Sequence, residues 1–140
     1  MANRLSKSNI EYLTRVWNPV SGCLHQERGI CPVTNCWART ITERFPGHYP
    51  NGFEPDIHYD AFKPMCFRKH QRVGVGFLGD MFGSWVDPTA VDETGRLYQC
   101  CLAETLRDAV FRQLKLNPGS DFFFLTKNPS GYIPWQPFPN

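Results

Sequence analysis

The sequence predicts an α/β fold with parallel strands, and two observations lead to that class. Short apolar runs suited to strands alternate along the chain with segments of helical periodicity. An order of strand, helix, strand, helix, strand is typical of parallel sheets with right-handed crossovers. The chain has 140 residues, which is enough for one compact domain and short for two. We therefore expect a single domain over residues 1–140 with about three parallel strands and flanking helices.

The first half of the chain contains one predicted strand and one predicted helix. The strand is expected over residues 14–18, a short β-prone run that Asn18 and Pro19 close. The helix is expected over residues 36–45, because apolar residues recur there at every fourth position. Residues 46–64 are rich in Pro and Gly and are predicted to form a loop.

The second half contains two strands and a longer helix. Residues 72–79 and 121–126 hold apolar runs without clean alternation, which predicts strands buried on both faces. Between them, Asp87–Pro88 has the form of a helix N-cap followed by Pro at the first helical position. An apolar stripe at three- and four-residue spacing then predicts a helix over residues 97–116.

The end of the chain and the sheet edge bear on whether this protein pairs with another chain. Residues 130–140 contain aromatic and Pro residues without a period, and we expect this tail either to pack on another part of the fold or to continue into a further element. A sheet of three strands leaves an edge unpaired, and exposed edges favour pairing with another strand. The sequence therefore predicts either a homodimer or an edge that the tail covers.

Composition excludes several classes of protein. Hydrophobic residues make up 41% of the chain and aromatic residues 14%, which excludes intrinsic disorder. A formal net charge of +2 does not indicate strong electrostatic binding of nucleic acid. No apolar run approaches the roughly 20 residues that span a bilayer, and the polar N-terminus has no apolar signal segment. We expect a soluble, cytoplasmic protein.

The cysteines are the first candidate functional residues. Three of the six lie close together in the sequence, at Cys23, Cys31 and Cys36, and we call them the cysteine trio. In a chain without an export signal, such a group favours metal binding over disulfides. The others are Cys66, which stands alone, and the adjacent Cys100 and Cys101. These two lie on the predicted long helix and are expected to pack into the protein core.

Two kinds of metal site agree with the trio. A structural zinc ion would need a fourth ligand, which His25, His48 or Cys66 would have to supply. Three thiolates without an obvious fourth ligand suit a [4Fe–4S] cluster that leaves one iron open to a small molecule. The spacing alone leaves both alternatives open.

Polar residues follow each of the three predicted strands. The cysteine trio follows the first, Gly79 and Asp80 follow the second, and 126–128 (Thr-Lys-Asn) follows the third. Because ligand sites of parallel sheets gather at the carboxyl ends of strands, we expect these three segments to meet in one site.

Four motifs follow one another along the chain, at Trp17–Cys23, Cys36–Ala38, Gly79–Val86 and Phe124–Pro129. Together they resemble a known family, the phage Gp37/Gp68-type proteins, which carry a three-cysteine motif like that of radical S-adenosylmethionine enzymes. The resemblance extends from Ile10 to Tyr132 in the same order. Two features depart from the family pattern. Four residues separate the last two cysteines where the family usually has two, and the chain is considerably shorter than the family's.

The resemblance implies a fold and a cofactor. A radical-SAM partial barrel has six strands, so a chain of this length would supply about the first half, as a fragment, a natural remnant or a subunit that another chain completes. The trio would hold three irons of a [4Fe–4S] cluster, and S-adenosylmethionine would chelate the fourth. One electron would then cleave that cofactor to a 5′-deoxyadenosyl radical, which abstracts hydrogen from a substrate that the motifs do not identify.

The resemblance also implies roles for four residues beside the trio. Asp80 would bind the ammonium group of S-adenosylmethionine from an exposed loop. Thr126 or Lys127 would meet its carboxylate or ribose, and Trp37 would shield the cluster or lie against the adenine. The alternative function is a small zinc-stabilised binding module of phage origin without catalysis, and a third is an accessory domain whose cysteines bind no metal.

Overall fold

The part of the chain that the structure describes contains six short strands and two α-helices. The structure is a computed structural model that describes residues 2–91 and 104–139. The strands are β1 Leu5–Lys7, β2 Arg15–Trp17, β3 Val20–Ser21, β4 Asp56–Ile57, β5 Arg72–Val75 and β6 Asp121–Phe124. The helices are α1 Trp37–Arg44 and α2 Leu106–Leu116, and 3-10 turns cover Ala2–Arg4, Tyr59–Phe62 and Pro129–Trp135.

The main sheet has four strands in the order β1-β2-β5-β6. Strand β2 pairs with β5, and β5 with β6, both in parallel, which confirms the predicted parallel pairing of these strands. Strand β1 adds an antiparallel partner to β2 and makes the sheet mixed. The sequence did not predict β1, because its three residues are too few to show a period. The half-barrel description remains a prediction.

Strands β5 and β6 differ in burial. Three of the four residues of β5 are buried, as expected for a central strand. Strand β6 lies at the sheet edge, and its burial alternates. Phe123 is 37% exposed and Leu125 just beyond the strand is 60% exposed. The prediction that this run is buried on both faces is therefore wrong, because only one face of the edge strand packs on the core.

The stretch predicted as a loop over residues 46–64 contains regular structure. Strand β4 pairs with β3 in a small antiparallel sheet. The 3-10 turn that follows buries Ala61 and Phe62 completely in the core. This part of the prediction is wrong because Pro and Gly mark the turns in this stretch without revealing the long-range pairing between them.

Helix α2 begins later than the sequence predicted. Its N-cap is Thr105, whose Oγ1 accepts a hydrogen bond from the backbone N–H of Asp108 at 3.1 Å. Asp87 instead caps a turn, because its Oδ1 accepts from the N–H of Thr89 at 2.8 Å. The predicted N-cap at Asp87–Pro88 is therefore wrong. Residues 97–103 of the predicted helix, with Cys100 and Cys101, lie outside the described residues.

The core joins the sheet, α2 and the tail. Trp17 of β2, Val73 of β5 and Val110 of α2 are fully buried in one cluster. Trp135 of the tail is buried in the same cluster, and the ring of Phe138 lies 5.5 Å from that of Phe124 on β6. The tail therefore covers one face of the edge strand. None of the helices in the described residues combines the length and apolar character that crossing a bilayer requires.

Candidate functional site

The chain segments that follow β2 and β5 run side by side. The backbone N–H of Gly22 donates to the carbonyl of Leu78 at 2.9 Å, and Gly22 forms a parallel bridge with Gly79. A Cβ atom on Gly79 would lie 2.4 Å from the carbonyl oxygen of Gly22, which is closer than atoms can approach. Gly79 is therefore needed where the two segments meet.

Asp80 connects this junction to the third segment. Its Oδ2 accepts hydrogen bonds from His25 Nε2 at 2.7 Å, Thr126 Oγ1 at 2.9 Å and the backbone N–H of Lys127 at 3.0 Å. Its Oδ1 accepts from the backbone N–H of Phe82 at 2.9 Å. These bonds confirm that the three strand-end segments meet at one site.

The environment of Asp80 differs from the prediction. Its side chain is only 4% exposed, so the prediction of an exposed loop residue is wrong. A buried carboxylate is stable only with compensating donors, and here the four donors come from three separate parts of the chain. The sequence reveals the carboxylate but not its burial, because Thr126 is 46 positions away.

The cysteine trio lies around the same junction. Cys23 follows β3, Cys36 immediately precedes α1, and Cys31 lies in the loop between them. All three are free and partly buried. Within residues 2–91 and 104–139, no three His, Cys, Asp or Glu side chains converge closely enough to hold one metal ion.

His25, which lies two positions after Cys23, organises the loop that carries Cys31. The backbone N–H of His25 donates to Cys23 Sγ at 3.4 Å. The carbonyl of His25 accepts from the N–H groups of Ile30 at 2.8 Å and Cys31 at 3.1 Å. The Cys23 thiol and the backbone of Cys31 are therefore both bonded to the backbone of His25.

Burial raises the pKa of the Cys23 thiol, and the negative charge of Asp80 raises it further. The hydrogen bond from the N–H of His25 opposes these effects by stabilising the thiolate. Since only a thiolate binds metal, a metal at Cys23 would have to displace a proton.

One pocket of about 500 Å³ brings all seven predicted site residues together. Its lining includes the trio and Trp37, Asp80, Thr126 and Lys127. The pocket also contains residues that the sequence did not single out as site residues: Ile10, Tyr12, Gln26, Phe53, Phe77 and Leu125. Its size and largely apolar lining suit a small-molecule ligand.

The predicted cofactor residues differ in their exposure. Trp37 is 57% exposed at the start of α1, so its ring is available to a ligand. Lys127 is exposed, and its backbone rather than its ammonium group bonds to Asp80. Thr126 Oγ1 donates to Asp80 and accepts from the N–H of Asn128 at 2.9 Å, so its hydroxyl is already engaged.

The three candidates for a fourth zinc ligand lie at different places relative to the pocket. His25 lines the pocket, with Nε2 bound to Asp80 and Nδ1 buried without a hydrogen-bond partner. His48 is exposed and lines a different cavity, between β2 and α1. Cys66 is exposed and is not part of the pocket lining. Of the three, only His25 lies at the site.

Comparison with protein families gives one match. A family model described as "Protein of unknown function (DUF5131)" matches residues 7–134. The chain belongs to this DUF5131 family. The match contains the whole candidate site of the DUF5131 protein, from Cys23 to Lys127. No curated protein and no solved structure matches the chain.

A single reason explains why the sequence did not indicate the other pocket residues of this DUF5131 protein. Ile10 and Tyr12 lie in the connection between β1 and β2, and Phe53 lies in the stretch predicted as a loop. The side chain of Tyr12 is 51% exposed, and its ring meets that of Phe123 edge-on. No local pattern marks these side chains, because their place in the pocket depends on long-range packing.

Proposed function

We propose that this DUF5131 protein binds a [4Fe–4S] cluster on Cys23, Cys31 and Cys36 and S-adenosylmethionine in the adjoining pocket, as radical S-adenosylmethionine enzymes do. The observation that carries the proposal is the common pocket of the trio and of the residues after β5 and β6. Resemblance to the phage Gp37/Gp68-type proteins supports the same function. The substrate is not identified.

The donor set fits a cluster. Three thiols line the pocket, and a cluster held by three thiolates leaves one iron open to a further ligand. In a four-iron cluster each thiolate binds a different iron, so the sulfur atoms need not converge as the ligands of one ion must.

The remaining pocket residues suit the parts of S-adenosylmethionine. The exposed ring of Trp37 and the side chains of Phe53 and Leu125 offer apolar surface to an adenosyl group. The ammonium group of Lys127 would pair with the carboxylate of the cofactor. When bound, the cluster supplies the electron that cleaves the cofactor, and this chain's residues hold and orient the two groups.

The half barrel and its completion belong to the same proposal. Strand β6 is an edge strand, and an additional strand from a second copy or another chain would extend the parallel sheet there. We therefore propose a homodimer or a completing chain as partner, and the net charge of +2 gives no support to nucleic acid. The described cysteines are free, which supports a reducing compartment such as the cytoplasm.

Anaerobic reconstitution with iron and sulfide tests the proposal. We expect a brown protein with broad visible absorption, bound iron and sulfide, and production of 5′-deoxyadenosine from S-adenosylmethionine under reduction. Cys23→Ser, Cys31→Ser and Cys36→Ser should each abolish the absorption. Cys66→Ser is the matched control and should leave it unchanged, because that thiol lies outside the pocket.

Two results would overturn the proposal. A colourless protein that binds zinc and releases it to a chelator would favour the alternative, a zinc-stabilised binding module. Trio variants that still assemble a complete cluster would show that these cysteines are not its ligands.

A further inference from the structure

The side chain of His25 is held rigidly at the base of the cysteine loop. It is 3% exposed, and its Nε2 lies 2.7 Å from Asp80 Oδ2. Its ring also meets the ring of Trp85 edge-on, with centroids 4.9 Å apart. A buried ring with a charged hydrogen-bond partner on one side and an aromatic neighbour has little freedom to rotate.

The partner of His25 is itself fixed from two other segments. The Asp80 carboxylate accepts from Phe82 after β5 and from Thr126 and Lys127 after β6. The ring of His25 is thus attached to the framework of the parallel sheet. Its backbone meanwhile holds Cys23 Sγ and the N–H of Cys31.

We infer that His25 is a positioning residue that transmits the fixed position of Asp80 to the thiol of Cys23 and to the backbone that carries Cys31. Asp80 then acts through His25 and not through direct contact with a ligand. Oδ2 of Asp80 already accepts three hydrogen bonds, Oδ1 accepts one, and the side chain is only 4% exposed. Direct binding of a cofactor's ammonium group, as the resemblance implied, would therefore have to reach a buried and largely engaged carboxylate.

This arrangement has the form of a supporting contact behind a metal ligand. Groups that orient metal ligands commonly do so through hydrogen bonds, and their loss reduces metal affinity. Here the orientation passes through the backbone of the residue two positions after Cys23. The inference rests on the proposed function only for the identity of the group that the thiols bind.

Alkylation of the metal-free protein tests the inference without any cofactor. The protein is treated with iodoacetamide at one pH, and mass spectrometry follows the modification of Cys23, Cys31 and Cys66. His25→Leu removes the donor but keeps an apolar side chain of moderate size. We expect it to increase the alkylation rates of Cys23 and Cys31 roughly tenfold or more, because the loop opens more often, and to leave Cys66 unchanged.

Two further variants separate positioning from general stability. The side-chain N–H of Gln can reach the place of His Nε2, so His25→Gln should restore the slow rates. His70→Leu is the matched control, because it breaks a similar but exposed histidine–aspartate contact of 3.0 Å. It should leave all three rates unchanged.

Three results would overturn the inference: no acceleration in His25→Leu, equal acceleration at Cys66, or failure of His25→Gln to restore the slow rates. Iron content after reconstitution gives a second readout, which we expect to fall severalfold in His25→Leu and to recover in His25→Gln. If the wild-type protein assembles no cluster, the proposed function fails. The alkylation rates would still decide the role of His25.

Discussion

The two ends of the parallel sheet carry the same pair of side chains in opposite environments. At the carboxyl ends of the strands, His25 and Asp80 lie 2.7 Å apart with side chains 3% and 4% exposed. At the amino ends, His70 and Asp121 lie 3.0 Å apart with side chains 52% and 63% exposed. The chemical groups are identical, so any difference in their importance comes from their surroundings.

Water is the main difference between the two pairs. It competes for His70 and Asp121, and exposed ion pairs contribute about 0–1 kcal/mol to the free energy of unfolding. At the buried pair no water replaces a lost partner, so removing one group leaves the other buried and unsatisfied. The sheet thus has one end where a histidine–aspartate contact is expendable and one where it organises the candidate site.

The largest expected change in stability comes from replacing Asp80 with asparagine, and the same substitution at Asp121 is the comparison. Asp80→Asn places an amide group among four hydrogen-bond donors, and we expect it to reduce the free energy of unfolding by about 3 kcal/mol. Asp121→Asn should change it by less than about 0.5 kcal/mol. Urea denaturation measures both, and similar small losses in the two variants would remove the distinction between the ends.

A third histidine extends the comparison to pH. His58 is buried and bonds to Ser21 Oγ at 2.6 Å. Burial lowers its pKa to about 4, with help from the charge of Arg4 and against the opposing charges of Asp56 and Asp60. Because the folded pKa lies below the usual value of about 6.5, the neutral form stabilises the fold above that pH.

This stabilisation should disappear as the pH falls from about 6.5 towards 4. Between pH 7 and pH 5 we expect His58 to contribute a loss of about 2 kcal/mol in the free energy of unfolding. Denaturation at both pH values measures the loss, and His58→Gln should remove it. A flat wild-type profile would contradict the prediction.

Thr126→Val should have an intermediate effect. The substitution keeps the shape of the side chain but removes one of the four donors to Asp80 and the acceptor for the N–H of Asn128. We expect a loss of about 1–2 kcal/mol, measured by urea denaturation. Ser130→Ala, which removes an exposed hydroxyl contact to Asn128, is the control and should cost less than about 0.5 kcal/mol.

Lys127→Met should have the smallest effect on stability. The bond to Asp80 uses the backbone N–H, so the free energy of unfolding should change by less than about 0.5 kcal/mol. The lost charge should nevertheless weaken S-adenosylmethionine binding to the reconstituted protein by roughly tenfold, the scale of one charge-assisted hydrogen bond. Equilibrium binding measures this, and unchanged affinity would remove Lys127 from the proposed cofactor site.

The sequence predicted the parallel pairing and the meeting of the strand-end segments, and both predictions depend on general rules of α/β folds. It did not predict β1, β3 or β4, because strands of two or three residues show no period and form only when a partner strand is present. It also placed the N-cap of the long helix at Asp87, although Thr105 caps α2. Local capping signals are alike in turns and helices, and only the packing of the chain distinguishes them.

What the sequence determined by itself is the inventory of the site: three thiols, a carboxylate, a hydroxyl, an amine and an aromatic ring at the ends of strands. Only the tertiary structure decided how they are used. Asp80 is buried because donors that lie 55, 46 and 47 positions away in the sequence surround it. Burial and hydrogen-bond partners depend on such long-range contacts. For this reason a carboxylate expected on an exposed loop is buried, with its Oδ2 bonded to His25 at the base of the cysteine loop.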